Sequence, residues 1–183
     1  MVFDEPLKVQ PFDPLFAATV ASWVRGPEEL VWLAPSTSWP LTAAKVVGWC
    51  RPSDRPVLMF DGGDGLPCGY AELNPLRDSR SRLWVGHVVI DPTRRGSGLG
   101  QRFTRLLVAK GFADPRVEQV VMIVFPDNEV AIRCYEANGF SVVRHEEHRF
   151  PPERRKRSLL RMEITRQVAL QMSSQSMAQE LPA

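Results

Sequence analysis

The chain has 183 residues, 44% of them hydrophobic, and a formal net charge of +2. That length fits one compact domain better than two, and the apolar share is ordinary for a protein with a proper core. A charge so near zero excludes the global basic field of a nucleic-acid binder, and no apolar run approaches the roughly 18 residues of a membrane span.

Cys50, Cys68 and Cys134 are odd in number and share no metal-type or CxxC spacing. This points to a reducing compartment and away from a disulfide frame or a zinc site. The start "MVFDEPLK" has no basic segment followed by an apolar one, so a cytoplasmic location is the expectation.

In chain order, residues 20–50 read as short helices broken at Gly26-Pro27 and around Pro35 and Pro40. Trp23, Trp32, Trp39 and Trp49 crowd this stretch as packing residues, with some free to line a pocket. "RPVLMF", "DGGDG" and "LPCGYAEL" read as strand, turn and strand. Asp61 and Glu72 stand eleven apart, as in a calcium loop, but Gly63 and Gly65 replace ligands there, so calcium is not expected. "RLWVGHVVIDP" is a longer strand, in which Gly86 signals a bulge or a close approach to the backbone.

After "RRGSGLG", Leu99, Phe103, Leu106 and Leu107 recur at helical spacing, while Arg102 and Arg105 point elsewhere. "VEQVVMIVF" is apolar enough for a strand buried on both faces. "PDNEVAIRCYEANGF" reads as a helix with a left-handed stop at Gly139. "SVVRHEEHRF" and "RSLLRMEIT" pair as a closing hairpin, and the polar stretch 167–183 reads as a poorly ordered tail after a domain of residues 1–166. Strands and helices in this order form a mixed α/β sheet.

A strand feeding a glycine turn that opens a helix offers free N–H groups and the positive end of a helix dipole, an anion site suited to phosphates. Gly96, Gly98 and Gly100 allow a ligand to approach bare backbone, and Arg94 and Arg95 add charge. The dinucleotide fingerprint fails at Gln101, and the P-loop lacks its Lys-Ser/Thr pair.

Arg95-x-x-Gly98-x-Gly100 after "VVIDP" resembles motif A of the GNAT superfamily, the acyl-CoA-dependent N-acyltransferases. The strand "VVMIVF" and the Asn-x-x-Ala-x-x-x-Tyr-x-x-x-Gly-Phe pattern of "NEVAIRCYEANGF" continue the resemblance over about residues 68–145. It implies a single GNAT-like domain whose mostly antiparallel sheet carries two splayed parallel strands and flanking helices. It also implies that Arg94, Arg95, Gly96, Ser97, Gly98, Leu99 and Gly100 hold the pyrophosphate of acetyl-CoA. Val88, Val89 and Ile90 would then offer backbone to the pantetheine arm. Asn128 matches the amide that bonds this arm, and Tyr135 the tyrosine beside the thioester sulfur. Helix spacing independently puts Asn128, Ala131 and Tyr135 on one stripe, where the small Ala131 leaves room for a ligand.

The implied reaction is direct attack by a primary amine of a small molecule or peptide on acetyl-CoA, without metal. Tyr135, a phenol of pKa about 10, would face a thiolate of pKa about 8.5, so it either donates its proton or hydrogen-bonds the sulfur. A backbone N–H near Val89 would face the oxyanion. Glu72, His87 or a water is the base. Cys134 points about 100° from Tyr135 and reads as packing. In "RHEEHRF", His145 and His148 fall on opposite strand faces, so a solvated edge is favoured over a metal cluster. "ERRKR" reads as a solvated turn.

The alternatives are a non-catalytic acyl-CoA-binding module on the same fold, which would not need the phenol, and a nucleic-acid binder, which the charge disfavours. Neither nucleic acid nor membrane is an expected partner, and a homodimer stays open. The acceptor is not readable, although Glu28 and Glu29 offer charge to a cationic amine.

Overall fold

The computed structural model describes residues 7–62, 65–76, 79–151 and 156–179. Gly63 of the "DGGDG" turn and most of "ERRKR" lie outside these residues.

The chain opens with a short strand, β1 (Lys8–Pro11), then three short helices, α1 (Ala17–Ser22), α2 (Pro27–Leu33) and α3 (Ala43–Trp49). Pro27 starts α2, where its missing N–H costs nothing, and Glu28 and Glu29 fill the first turn. The Thr42 hydroxyl caps α3 by accepting from the Lys45 N–H. Then come β2 (Pro56–Phe60), β3 (Pro67–Pro75) and β4 (Arg82–Ile90). Helix α4 (Leu99–Phe112), strand β5 (Gln119–Val124) and helix α5 (Glu129–Glu136) follow. Strands β6 (Ser141–Arg149) and β7 (Lys156–Thr165) and helix α6 (Arg166–Gln179) end the described chain.

Seven strands form one sheet in the order β1-β2-β3-β4-β5-β7-β6. All neighbours are antiparallel except β4 and β5. This is the mixed, mostly antiparallel α/β sheet expected.

The two faces carry separate cores. On one, Phe103 and Leu107 of α4 pack on Leu73, Val85, Val120 and Met162, with Ala131 and Tyr135 of α5 at the margin. On the other, α1 to α3 bury Val20, Trp23, Leu30 and Val46 against Leu58, Tyr70 and Val89. Strand β5 is buried on both faces, as its apolar run requires. Of the four crowded tryptophans, Trp23 is buried, Trp49 is partly so, and Trp32 and Trp39 stay exposed.

Helix α5 ends as its sequence foretells. Gly139 has φ +86, the Phe140 N–H donates to the Tyr135 carbonyl, and the Gly139 N–H donates to that of Glu136.

Within the stretch 167–183 read as a poorly ordered tail, the residues up to 179 continue a helix that starts at Arg166, and 180–183 lie outside the described residues. The Arg166 guanidinium donates to the carbonyls of Phe112, Asp114 and Val117 at 2.6–3.0 Å. Val168 and Ala169 pack on the core, and Met172 lies where a Cβ on Gly139 would collide with it. A few well-placed contacts anchor a mostly polar helix. No helix among the described residues is long and apolar enough to cross a membrane.

Candidate active site

Strands β4 and β5 pair only over Arg82–Trp84 and Gln119–Val121. Beyond that point neither strand bonds to the other, so Val88, Val89 and Ile90 edge a wedge-shaped opening in the sheet. A buried sheet has no reason to part there unless something else takes up the free backbone groups.

The glycine turn lies at the open end of β4. Asp91 accepts from the Thr93 N–H and hydroxyl, which fixes the exit from the strand. Gly96 and Gly98 have φ +80 and +79, a conformation that excludes most side chains. Gly98 also caps α4, and the first intrahelical bond runs from the Arg102 N–H to its carbonyl. The N–H groups of Leu99, Gly100 and Gln101 therefore have no partner within the helix. Residues 95–98 are exposed, and a Cβ built on Gly96 or Gly98 meets nothing within 4 Å among the described residues. This is an open cradle of backbone donors at a helix N-terminus.

The two arginines do not simply add charge to it. Arg94 pairs with Asp61 and approaches Asp91 at 3.8 Å. Arg95 turns towards α2, donating to Glu29 at 2.8 Å, to the Trp23 carbonyl at 3.0 Å and to the Ile90 carbonyl at 3.1 Å. Partial burial raises the Glu29 carboxyl pKa. Hydrogen bonds from Arg95 and from the Arg25 N–H outweigh that and hold it below the usual glutamate value. Glu29 is thus committed to Arg95, a correction to the reading that it awaits an amine; Glu28 stays exposed.

Midway along β4 the expected bulge appears. Tyr70 faces Val89 and Glu72 faces Gly86, so β4 carries one residue more than β3 across this step. His87 sits in the bulge with φ +48, the one non-glycine with positive φ among the described residues. Gly86 is required too, since the Trp84 ring folds across it and fills the space of a Cβ.

The bulge turns His87 back onto β3, with Nδ1 2.7 Å from Glu72 Oε1. Glu72 is only 1% exposed. Its Oε1 also accepts from the Tyr70 hydroxyl at 3.0 Å, and its Oε2 from the Asn74 amide at 2.8 Å. The His87 ring stacks on Trp49 at 4.5 Å and meets Trp84 edge-on at 5.6 Å. A cavity of about 260 Å³ opens over this group, with Asp54 and Arg51 at its rim.

The two candidate bases are therefore one hydrogen-bonded pair. Tyr70, Asn74 and Trp84 were missed as its surroundings, while Trp49 is one of the tryptophans expected to be free to line a pocket. The available signal was Tyr70-x-Glu72-x-Asn74, polar groups at every second position of an otherwise apolar strand.

Beyond β5, Asn128 caps α5, its Oδ1 accepting from the Ala131 N–H at 3.3 Å. Tyr135 packs beside Phe140, with ring centroids 6.0 Å apart. Burial, and then the neighbouring Cys134, push its phenol well above the usual tyrosine value. Among the described residues its hydroxyl has no hydrogen-bond partner. Cys134 faces α4, 3.7 Å from the Thr104 hydroxyl, as a packing residue would. On the edge strand β6, His145 is exposed and His148 Nε2 lies 2.8 Å from Glu146. No group of three His, Cys, Asp or Glu able to hold a metal occurs among the described residues.

Known proteins resemble this chain in sequence and in fold. The aminoglycoside N(6')-acetyltransferase type 1 of Klebsiella pneumoniae is 32% identical over 87 residues, covering 42% of this chain and 43% of that protein. The spermidine N(1)-acetyltransferase of Escherichia coli K12 is 31% identical over 99 residues, 54% and 53% of the two chains. The chain thus spans about half the length of the curated relatives it matches. Among solved structures, aminoglycoside acetyltransferase AAC(6')-Ib with ribostamycin and coenzyme A superposes with a TM-score of 0.72 at 22% identity, over 90% of this chain and 96% of that one. The spermidine N-acetyltransferase of Vibrio cholerae with CoA and spermine gives 0.71 at 17% identity, over 90% and 98%. The model of the "Acetyltransferase (GNAT) family" matches residues 23–140, more than half the chain. With the parted strands, the cradle and these relatives in agreement, the chain belongs to the GNAT acetyltransferase family.

Proposed function

We propose that this chain is an N-acetyltransferase that passes the acetyl group of acetyl-CoA to a primary amine of a small molecule or peptide. One observation carries the reading: the open backbone cradle and the parting of β4 from β5 lie at the same end of β4. The N–H groups from Arg95 to Gly100 would bind the pyrophosphate, which is stabilised by the α4 dipole. The edge of Val88, Val89 and Ile90 would lead the pantetheine arm into the wedge. Ala131 leaves a low surface beside it, and the Asn128 side-chain amide N–H groups remain able to donate after Oδ1 has capped the helix.

The amine nitrogen attacks the thioester carbonyl, and the backbone N–H near Val89 stabilises the oxyanion. The C–S bond then breaks. The amine proton leaves through the Glu72–His87 pair, and the departing sulfur is met by Tyr135. Burial keeps that phenol protonated, so it serves as a hydrogen-bond donor to the sulfur as charge develops. Each of these residues acts within one ternary complex, without a covalent acyl-enzyme.

The relatives named above set the first acceptors to try, aminoglycosides and polyamines, followed by amino acids and peptides. Incubation with acetyl-CoA should release free CoA thiol together with an acetylated product visible by mass. Saturable CoA binding without transfer to any amine of that panel would make the chain an acyl-CoA-binding module instead.

A further inference from the structure

We infer that His87 Nε2 is the atom that takes the amine proton, and that Glu72, held by Tyr70 and Asn74, is a positioning residue for it. The inference rests on the acetyltransferase reading and divides the work of its proton-accepting pair.

The hydrogen-bond network favours one arrangement of the protons. The Asn74 Oδ1 accepts from the Arg55 N–H at 2.9 Å, so its amide nitrogen is the end that faces Glu72. Burial, and then the charge of Glu72, push the Tyr70 phenol far up, so it too remains a donor to the carboxylate. With Tyr70 donating to one oxygen and Asn74 to the other, Glu72 is set up to act as an acceptor towards His87 as well. This arrangement favours the tautomer whose Nδ1–H donates to Glu72, and in that neutral ring the lone pair is on Nε2.

Access points the same way. The His87 side chain is 19% exposed, whereas that of Glu72 is 1% exposed. An amine entering the cavity beside Trp49 and Trp84 meets the imidazole. To reach Glu72 it would have to displace three donors. The other titratable groups that face His87 are Asp54 and Arg51 on the cavity rim, with Cys50 behind Tyr70 at 3.8 Å. The bulge that gives His87 its φ of +48 is also what aims the ring at Glu72 and the cavity.

In the step itself, the neutral amine forms its N–C bond at the thioester carbonyl and gives one N–H proton to Nε2. The imidazolium is paired with Glu72. As the C–S bond breaks, that proton passes through solvent to the CoA thiolate, which restores the neutral imidazole and yields amide plus free thiol.

Two measurements test this. In ¹⁵N-histidine NMR of the free protein, the resonance lost in His87→Gln should show Nδ1 protonated and Nε2 bare, and Glu72→Gln should release that preference. In kinetics, His87→Ala should lower kcat on the order of 10²-fold with the KM for acetyl-CoA nearly unchanged. Its acid limb should be replaced by a rate that climbs steadily with pH, and imidazole should restore turnover. Glu72→Gln should lose at least about 10-fold in kcat while binding CoA normally by calorimetry. A His87→Ala profile identical to wild type, or an Nε2-protonated ring, overturns the assignment alone. Wild-type protein that transfers no acetyl group overturns it together with the acetyltransferase reading.

Discussion

Gly98 stands where β4 hands over to α4, with φ +79, and any L side chain placed there adopts a backbone it disfavours. A bulky replacement would mix that strain with the loss of the cradle. A cleaner pair is Gly98→Asn and Gly98→Asp, since both residues tolerate the left-handed region better than others. The two variants should melt together, but the carboxylate should repel a diphosphate. Calorimetry should find acetyl-CoA bound roughly tenfold or more weakly by Asp than by Asn, consistent with a like charge in an anion site. Equal affinities would place the phosphates elsewhere. At the opposite side of the wedge, Tyr135→Phe removes one oxygen from a side chain already packed against Phe140. Turnover should fall on the order of 10²-fold, with acetyl-CoA affinity retained. Unchanged turnover would remove the phenol from the reaction.

Elements differ in how much of them can be read locally. The glycine turn, the Asn128 cap and the Gly139 stop are written in a few adjacent residues, so they were visible in the sequence. Strand β1 was not: four residues ending in proline carry little signal and are strands only because β2 pairs with them. Helix α6 was hidden for a similar reason, its anchors being Arg166 and a few apolar contacts in a polar run. The β6–β7 hairpin was legible as a pair, but its edge is held by charge. The Arg161 guanidinium, against the opposing effect of partial burial and with help from His148, holds the Glu146 carboxyl below its usual value. A carboxyl depressed in the folded state contributes stability above its unfolded pKa, about 4.3, and loses it as pH falls through the folded value. The melting-temperature gap between wild type and Glu146→Gln should therefore be present at pH 6 and close on approach to pH 3. A constant gap would mean that Glu146 acts through packing.

At the scale of the molecule, the site joins residues that periodicity cannot bring together. Glu72 and His87 meet because a single extra residue in β4 shifts its register against β3, and no alternation of apolar residues encodes that shift. The strand order β5-β7-β6 is likewise a long-range pairing that only the folded sheet reveals. Arg95 is the most informative case, because its motif position was legible and its side-chain partners were not. It ties the cradle to two helices on the opposite face, through Glu29 in α2 and the Trp23 carbonyl at the end of α1. The ion pair is a third exposed, so solvent discounts it, and the three contacts together are worth about 1–2 kcal/mol. Arg95→Ala should thus lower the melting temperature by roughly 3–6 °C. If the tie also carries order across the sheet, amides 17–33 should exchange faster in the variant, and adding CoA to wild-type protein should slow the same amides. Exchange confined to residues 94–100 in both experiments would show that the cradle and the helices behave independently, with Arg95 serving only the turn it belongs to.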